Sequence, residues 1–362
     1  MMNDTPLVSP ESGRVVITGQ SAIYQPRTLF SLGVREFDAM SHGIGAGEVA
    51  VAAAATGAGK TSFGLHVARH HAALGRNVLY VLKEMRPGDT LERLAESDTG
   101  IPWRRIRYAK SHPLAPHEHL AVQRSFAHWN AVLHHSGFKI WDRARKPITP
   151  ATVVREVRRL RNAHDVSRGA EPVPFWGIVI IDYWGVLVPV GGHNGLLLAN
   201  DTAAAFEDAA EHSRCAVLVL AQLGREALAK TAAPIALRAD LIQGATVLAQ
   251  KAWRVLFLDR AYAVATENGR VRFKPVPHAA TLGEVKNRVE RAASPRVAVS
   301  YFAGLYGDAA QAALRQHVIR EEATRLGVTE TPTPEEASQL EAIANRAVRE
   351  HLQALKAAGG KG

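Results

Sequence analysis

Residues 48–68, EVAVAAAATGAGKTSFGLHVA, run from small apolar residues through a loop into a helix-like pattern, and this combination can hold a phosphate group. Phe63, His66 and Val67 recur at helical spacing, so the loop lies at a predicted helix N-terminus, where the helix dipole favours negative charge. Without bulky side chains, successive backbone N–H groups of the loop can curl around an anion. The loop residues are Thr56, Gly57, Ala58 and Gly59.

Lys60 and Thr61 add the chemistry of a nucleotide site. In a loop of this kind the lysine reaches the β- and γ-phosphates, and the threonine hydroxyl ligates Mg²⁺. We assign the next residue, Ser62, to the same nucleotide-binding set. Ala54 replaces the usual first glycine of the pattern. A chance Gly-Lys-Thr in a chain rich in Gly and Ala is the alternative, but the strand–loop–helix context favours a nucleotide-binding loop.

Three polar residues that follow or end apolar runs can complete a hydrolytic site. Asp182 closes GIVIID and can hold Mg²⁺, Glu84 follows NVLYVL and can polarise the attacking water, and Gln222 ends AVLVLAQ and can hydrogen-bond the γ-phosphate. The carboxyl ends of parallel strands share one sheet edge, where ligands bind. Each residue also has an ordinary interpretation: Asp182 can cap a turn, Glu84 can pair with Lys83 on the surface, and one glutamine at a strand end is weak evidence.

Apolar runs alternate with helical patterns along the chain, which predicts a mostly parallel sheet covered by helices on both faces. Residues 282–287 and 296–302 read as strands at the margin of this sheet, and a long, mostly helical excursion separates the second and third buried strands. The candidate buried strands are residues 48–54, 77–82, 177–182, 216–222 and 254–259.

The segment between the second and third buried strands contains one clear helix start. Thr149 is the predicted N-cap of a helix that begins at Pro150 and covers residues 151–164. Residues 165–174 and 188–201 read as loops on either side of the third strand.

The C-terminal part of the chain is predicted to consist of a linker and a helix. TETPTP reads as a linker, and Thr333-Pro334-Glu335-Glu336 forms a predicted capping box for a last helix. This helix either binds a partner or docks on the chain's own core, and we favour docking. Its apolar stripe consists of Leu340, Ile343, Ala347, Leu352 and Leu355.

The chain has 362 residues, 47% of them hydrophobic, which suits one large domain with appendages. It has no run of about 18 apolar residues, and its polar N-terminus is not a signal peptide, so we expect no membrane association and a cytoplasmic location.

The single cysteine, Cys215, reads as a small buried hydrophobe. The formal charge of +10 is consistent with a polyanionic partner. Six histidines between His112 and His135 read as surface residues, because no cysteine or paired spacing supports a zinc site.

Taken together, these motifs resemble the RecA-like ATPase domain of DnaB-type replicative helicases. The approach SLGVREFDAMSHGIGAGE leads into the loop there, and the family commonly has alanine at the position of Ala54. VLYVLKEM resembles the strand that ends in the family's catalytic glutamate, here Glu84, and IIDYWGVL resembles its Mg²⁺ strand, with Asp182 and Tyr183. VLAQLGRE resembles the segment whose glutamine, here Gln222, links the nucleotide state to DNA contacts.

EVKNR resembles the family's late strand, whose lysine and arginine reach into the ATP site of the neighbouring subunit. By this resemblance Lys286 contacts that nucleotide, and Arg288 joins Lys60, Glu84 and Gln222 in the catalytic set. A basic strand that faces solvent, or that contacts phosphate without a catalytic role, is the alternative for Lys286 and Arg288.

The resemblance covers residues 31–306 and implies an α/β fold, a RecA-like P-loop NTPase with a mostly parallel central sheet flanked by helices and a C-terminal helical tail. It implies an N-terminal arm at 1–30, an ATPase domain at 31–307 and a tail at 308–362. ATP and Mg²⁺ are the implied cofactors, and single-stranded DNA and a homo-hexameric ring are the implied partners, with a helicase loader or primase in addition. The implied function is a ring-forming, ATP-hydrolysing DNA translocase or helicase that moves 5′ to 3′ in the replication of a phage or mobile element.

Two departures from the family keep a second interpretation open. We expect the chain to lack the family's N-terminal helical domain, and Ile242 and Gln243 stand where its DNA-binding loop, here residues 238–250, usually has charges. Both favour a non-unwinding ATPase that acts as an ATP-dependent DNA-binding or loading switch. A small-molecule kinase with a phosphate loop is a third hypothesis, and the series Glu84, Gln222 and Lys286 argues against it.

Overall fold

A computed structural model of the chain describes residues 29–82, 85–135, 138–142, 148–168, 177–182, 195–223, 242, 246–267, 270–287, 296–328 and 332–359. Within these residues nine strands form one sheet. In spatial order they are β11 (Leu305–Tyr306), β10 (Arg296–Phe302), β9 (Arg270–Asn287), β8 (Arg254–Glu267), β3 (Val49–Ala54), β7 (Ala216–Gln222), β6 (Gly177–Asp182), β4 (Asn77–Leu82) and β5 (Phe138–Asp142). A short antiparallel pair precedes them, formed by β1 (Leu29–Phe30) and β2 (Ile44–Gly45).

The strands from β8 to β5 run parallel to one another, whereas β9, β10 and β11 are antiparallel to their neighbours. The strands β3, β6 and β7 are buried along nearly their whole length, because helices cover both faces of the sheet. This confirms the predicted α/β fold and its mostly parallel sheet.

The helices divide between the two faces. On one face, α6 (Pro150–Arg168), α7 (Gly195–Ser213) and α8 (Thr246–Lys251) contribute Val153, Phe206 and Leu248 to the core. On the other face, α2 (Lys60–Ala73), α3 (Pro87–Thr99) and α5 (Pro116–His135) contribute Phe63, Leu94 and Trp129. We call these the α7 face and the α2 face. Two short helices, α1 (Arg35–Ser41) and α4 (Trp103–Arg107), complete this part of the chain.

Histidines of α2 anchor the segment that contains β1 and α1. His66 Nε2 lies 3.0 Å from the Gly33 carbonyl oxygen, and His71 Nε2 lies 2.8 Å from that of Ser31. Each ring can donate this bond as a neutral imidazole with its proton on Nε2. Burial lowers the pKa of His66 to about 4 and that of His71 to about 3, so both rings are neutral at pH 7.

Two predicted loops were partly wrong. Helix α6 continues to Arg168, so residues 165–168 are not loop, and α7 begins at Gly195, so residues 195–201 are helical. A helix that is already stabilised by packing extends through polar residues at low free-energy cost, because each added residue gains a backbone hydrogen bond. The helical excursion also contains strand β5, which pairs with β4 at the edge of the sheet.

The C-terminal helices α9 (Gly307–Arg325) and α10 (Pro334–Gly359) pack against each other and on the antiparallel strands. The capping box is confirmed: the Thr333 N–H donates to Glu336 Oε2 at 2.8 Å, and the Glu336 N–H donates to Thr333 Oγ1 at 3.3 Å. Leu340 and Leu355 are 3% and 6% exposed. The tail therefore docks on the chain's own core, as predicted. Across the described residues, no helix combines the length and apolar character needed to cross a membrane.

Candidate functional site

The predicted phosphate loop connects the end of β3 to the start of α2. Gly57 and Gly59 adopt φ angles of 78° and 98°, a left-handed conformation that residues with a Cβ rarely adopt. A Cβ on Gly57 would meet no described atom within 4 Å, so the space beside this residue is open. Gly59 is the N-cap of α2 and Lys60 its first residue. The loop therefore lies at the N-terminus of a long helix, with open space beside Gly57 as far as the described residues show, and this geometry binds anions.

Gln222 reaches this loop from the neighbouring strand. β3 lies between β7 and β8, and Ala54 pairs with Gln222 on one side and Leu258 on the other. The Gln222 side chain donates from Nε2 to Thr56 Oγ1 at 2.5 Å. The shared sheet edge thus brings together the loop and the glutamine that the sequence analysis singled out.

The Tyr80 hydroxyl connects Asp182 to the first turn of the same helix. Asp182 ends β6, is 5% exposed, and accepts a hydrogen bond of 3.0 Å on Oδ2 from the Tyr80 hydroxyl. That hydroxyl also lies 3.4 Å from the carbonyl oxygen of Thr61. Burial, together with the Asp182 charge, raises the pKa of the Tyr80 hydroxyl well above its usual value, so it remains a donor. Carboxylate and hydroxyl oxygens are ligands that Mg²⁺ accepts, so Asp182 beside the first turn of α2 fits the predicted metal pair.

Tyr80 is not among the site residues predicted from the sequence. The available signal was a tyrosine in the middle of the apolar run VLYVL, because a buried phenol needs a hydrogen-bond partner. Its partner could not be read from the sequence, since Asp182 lies 102 positions further along the chain.

Two tyrosines from the antiparallel end of the sheet support the loop. The Tyr306 side chain is fully buried, and its hydroxyl donates to the Gly59 carbonyl oxygen at 3.3 Å. The Tyr301 hydroxyl lies 3.5 Å from Ser62 Oγ, and Ser62 is 8% exposed. The Ser62 side chain therefore points toward the strands β10 and β11, and any contact of Ser62 with a nucleotide in this conformation involves its backbone.

A cavity of about 330 Å³ opens beside the loop, between it and the strands β8 to β10. Its volume is within the range of small-molecule sites, and its walls combine apolar and charged groups. Space for the rest of a nucleotide therefore adjoins the predicted phosphate site. The lining residues include Gly57, Gly59, Asp259, Arg260, His278 and Tyr301.

Lys286 lies at the opposite edge of the sheet. It pairs with Val255, which in turn pairs with Val51, three residues before Ala54. Its Nζ donates to the carbonyl oxygen of Ala249 at 3.0 Å and to that of Gln250, at the C-terminal end of α8. The start of the loop is roughly 10 Å further along the strand direction. The structure therefore does not bring Lys286 to the phosphate loop of its own subunit.

Glu84, Tyr183, Gln243 and Arg288 lie outside the described residues, and their roles stay predictions. The neighbouring strand ends are described, however. Leu82, two positions before Glu84, pairs with Asp182. The chain therefore leaves β4 next to the carboxylate that is predicted to hold Mg²⁺.

Ile242, in the predicted DNA-binding loop, is 2% exposed and forms a bridge with Leu223. It belongs to the same apolar cluster as Leu248. The apolar side chain at this position is therefore part of the core.

The remaining sequence predictions concern histidines and the cysteine. Cys215 is fully buried, and burial raises the pKa of its thiol to about 12, as expected for a small hydrophobe. Nowhere in the described part of the chain do three His, Cys, Asp or Glu side chains form a metal-binding group. The described histidine side chains of the predicted surface set are all exposed: His112, His117, His119, His128 and His134.

Comparison with known proteins identifies the family to which this domain is similar. The family described as "DnaB-like helicase C terminal domain" matches residues 30–297. No curated protein matches the sequence. Among solved structures, the ATPase domain of another protein superposes with a TM-score of 0.63 at 19% identity, covering 80% of this chain and 94% of that one.

A second similar structure, "The Structure Of A DnaB-Like Replicative Helicase And Its Interactions With Primase", has a TM-score of 0.62 at 19% identity. The match covers 80% of this chain but 64% of that one, so this chain spans less than two thirds of its length. At such identities the likeness concerns the fold.

Proposed function

This chain belongs to the DnaB-like helicase C terminal domain family, and from that premise we propose that it hydrolyses ATP to move along single-stranded DNA as a ring of identical subunits. One observation carries the proposal: the phosphate loop, Gln222 and Asp182 meet at one sheet edge, while Lys286 lies at the opposite edge. A head-to-tail ring joins two different surfaces of each subunit. Groups at opposite edges of one subunit can therefore contribute to sites that lie between neighbouring subunits.

Within one subunit, the residues of the loop edge bind and orient the nucleotide. Lys60 and the N–H groups at the start of α2 hold the β- and γ-phosphates, and Thr61 with Asp182 would hold Mg²⁺. When bound, Mg²⁺ neutralises the charge that develops on the phosphate oxygens. Tyr80 keeps the Asp182 carboxylate oriented by donating to it.

The remaining groups act on the attacking water and the transition state. Glu84 accepts the proton of the water that attacks the γ-phosphate. Lys286 and Arg288 of the adjacent subunit stabilise the charge that develops during phosphoryl transfer, so hydrolysis depends on ring assembly. Gln222 contacts the loop through Thr56 and therefore responds to changes in its conformation.

The test measures ATP hydrolysis by the full chain with and without single-stranded DNA, with oligomer mass determined in parallel. The proposal expects hydrolysis that DNA stimulates in an oligomer and displacement of a strand from a fork with a 5′ tail but not from one with a 3′ tail. Lys60→Ala serves as the control without an active loop. A monomer with ATP and DNA present, with a rate that DNA does not change, would refute the proposal.

A second candidate function is the ATP-dependent DNA-binding or loading switch. The burial of Ile242 favours it, because this position of the predicted DNA loop is committed to the core. It predicts DNA-stimulated hydrolysis without strand displacement from either fork. In both cases a primase or a helicase loader is the protein partner to test.

A further inference from the structure

A β-bulge in β9 decides which face of the sheet Lys286 occupies. Val255 pairs with Lys286 and the next residue, Leu256, pairs with Glu284, so Val285 is an extra residue between them. Side chains alternate along a regular strand, which would put Lys286 on the same face as Glu284. Instead Val285 packs in the core of the α7 face, and Lys286 bonds to α8 on that face too. The bulge therefore turns Lys286 away from the face of Glu284.

On the α2 face, Glu284 is fixed by a buried ion pair. Arg254 Nη1 donates to Glu284 Oε1 at 3.0 Å, and the two residues are 2% and 1% exposed. The same nitrogen donates to the Ser41 carbonyl oxygen, and Arg254 Nε lies 3.8 Å from Glu48 Oε2. Glu48 in turn accepts a bond of 2.8 Å from the Gly45 N–H. These contacts tie the bulge to the residue that directly precedes β3.

Stability alone does not account for such a pair. Two buried charges lose their hydration, and replacing a buried ion pair by apolar residues of similar size is often neutral or stabilising. What a charged pair adds is a defined geometry, because the bond holds only when both partners are in register. Bulges near functional sites commonly re-aim a side chain, and Glu284 and Lys286 flank the extra residue Val285.

We propose that Arg254 and Glu284 are positioning residues that hold the bulge of β9 and thereby fix the position from which Lys286 acts on the neighbouring subunit. This rests on the proposed function, in which Lys286 acts on the neighbour's nucleotide. Through Glu48 the same pair fixes the segment relative to β3, the strand that ends at the phosphate loop. One rigid frame then sets the distance between the two halves of successive sites in the ring.

The test uses the double variant Arg254→Met/Glu284→Met in a Glu48→Gln background, so that unbranched side chains keep the volume, the pair is removed and no buried carboxylate is left without its cation. We expect a folded protein that binds ATP as the wild type does and hydrolyses it about 100-fold more slowly, the effect of a misplacement of about 1 Å. A second variant, Glu284→Gln, keeps the shape of the carboxylate and is taken through the same measurements, so that misfolding of the double variant leaves the proposal testable.

Mixed rings distinguish positioning of the neighbour's site from general damage. Combined with Lys60→Ala subunits, which retain the segment 284–288, the double variant should regain up to about a quarter of the wild-type rate, because one interface in four then joins an intact loop to an intact segment. Combined with Arg288→Ala subunits it should regain nothing, since both carry the same defect. A loss of stability alone would not produce this pattern.

The reference pair, Lys60→Ala with Arg288→Ala, reports on the proposed function itself. If this pair fails to recover, the shared site is wrong and the inference falls with it. If it recovers, the inference alone is overturned by either of two results. One is a wild-type rate in the double variant and in Glu284→Gln, and the other is recovery with Arg288→Ala but not with Lys60→Ala, which would place the defect in the subunit's own loop.

Discussion

Tyr80→Phe removes a single hydroxyl from the site and leaves the packing of the ring unchanged. In the wild type this hydroxyl donates to Asp182 Oδ2 at 3.0 Å and lies 3.4 Å from the Thr61 carbonyl oxygen. Asp182 is 5% exposed, so water has little access to replace the donor. The variant therefore weakens the orientation of the carboxylate that is predicted to hold Mg²⁺.

The size of the effect follows from the type of bond. A hydrogen bond to a charged group contributes about 1.5–3 kcal/mol, which corresponds to roughly 10- to 150-fold in an equilibrium constant. Loss of a residue that orients a metal ligand typically weakens metal affinity or activity about 10- to 100-fold. We therefore expect the Mg²⁺ concentration for half-maximal hydrolysis to rise by about one to two orders of magnitude.

The assay is a Mg²⁺ titration of ATP hydrolysis at a fixed, saturating ATP concentration, with unfolding in urea measured alongside. The matched control is Tyr301→Phe, which loses a hydroxyl 3.5 Å from Ser62 Oγ and does not touch Asp182. A Tyr80→Phe titration that superposes on the wild type and on the control would show that the hydroxyl does not orient a metal ligand.

The other predictions address the loop, the base and the pH dependence of stability. Lys60→Ala should keep the fold and abolish turnover, and normal hydrolysis by the folded variant would rule out the phosphate loop. Glu84→Gln should still bind ATP but lose hydrolysis, and a rate within about threefold of the wild type, less than 1 kcal/mol in barrier, would exclude it as the base. The folded-state pKa values of His66 and His71, about 4 and about 3, lie below the usual 6.5, so the unfolded state takes up protons first as the pH falls. The free energy of unfolding should drop below pH 6.5 by about 1.4 kcal/mol per pH unit for each residue, and urea unfolding at pH 7 and pH 5.5 would contradict this if stability did not fall.

The strands that carry the site were the easiest elements to predict. β4, β6 and β7 have the predicted bounds, because a strand covered on both faces leaves a continuous apolar run. The other strands were predicted less evenly. β10 has the predicted bounds, but β5 was missed, and β8 and β9 extend well beyond the predicted runs.

The residues of the candidate site also differ in how far the sequence predicts them. The placement of the loop at 56–61, Asp182 and Gln222 at one sheet edge could be predicted because each lies in a local motif whose neighbours reveal the strand or helix. Tyr80 and the pair Arg254–Glu284 could not, because their partners lie in strands or segments that are distant in the sequence. The bulge at Val285 depends on the register between two strands, and no local pattern specifies it.

The direction of β9 explains why Lys286 lies away from the phosphate loop of its own chain. β8 runs parallel to β3, is level with the start of the phosphate loop at Leu258, which pairs with Ala54, and continues to Glu267 before β9 returns antiparallel to it. Residues in the middle of β9, such as His278 and Ala279, therefore line the cavity beside the loop, whereas Lys286 comes near the opposite edge. A parallel strand in this place would have carried its last residues to the loop of its own subunit. The change from parallel to antiparallel pairing at β8 is thus what separates Lys286 from the phosphate loop of its own chain.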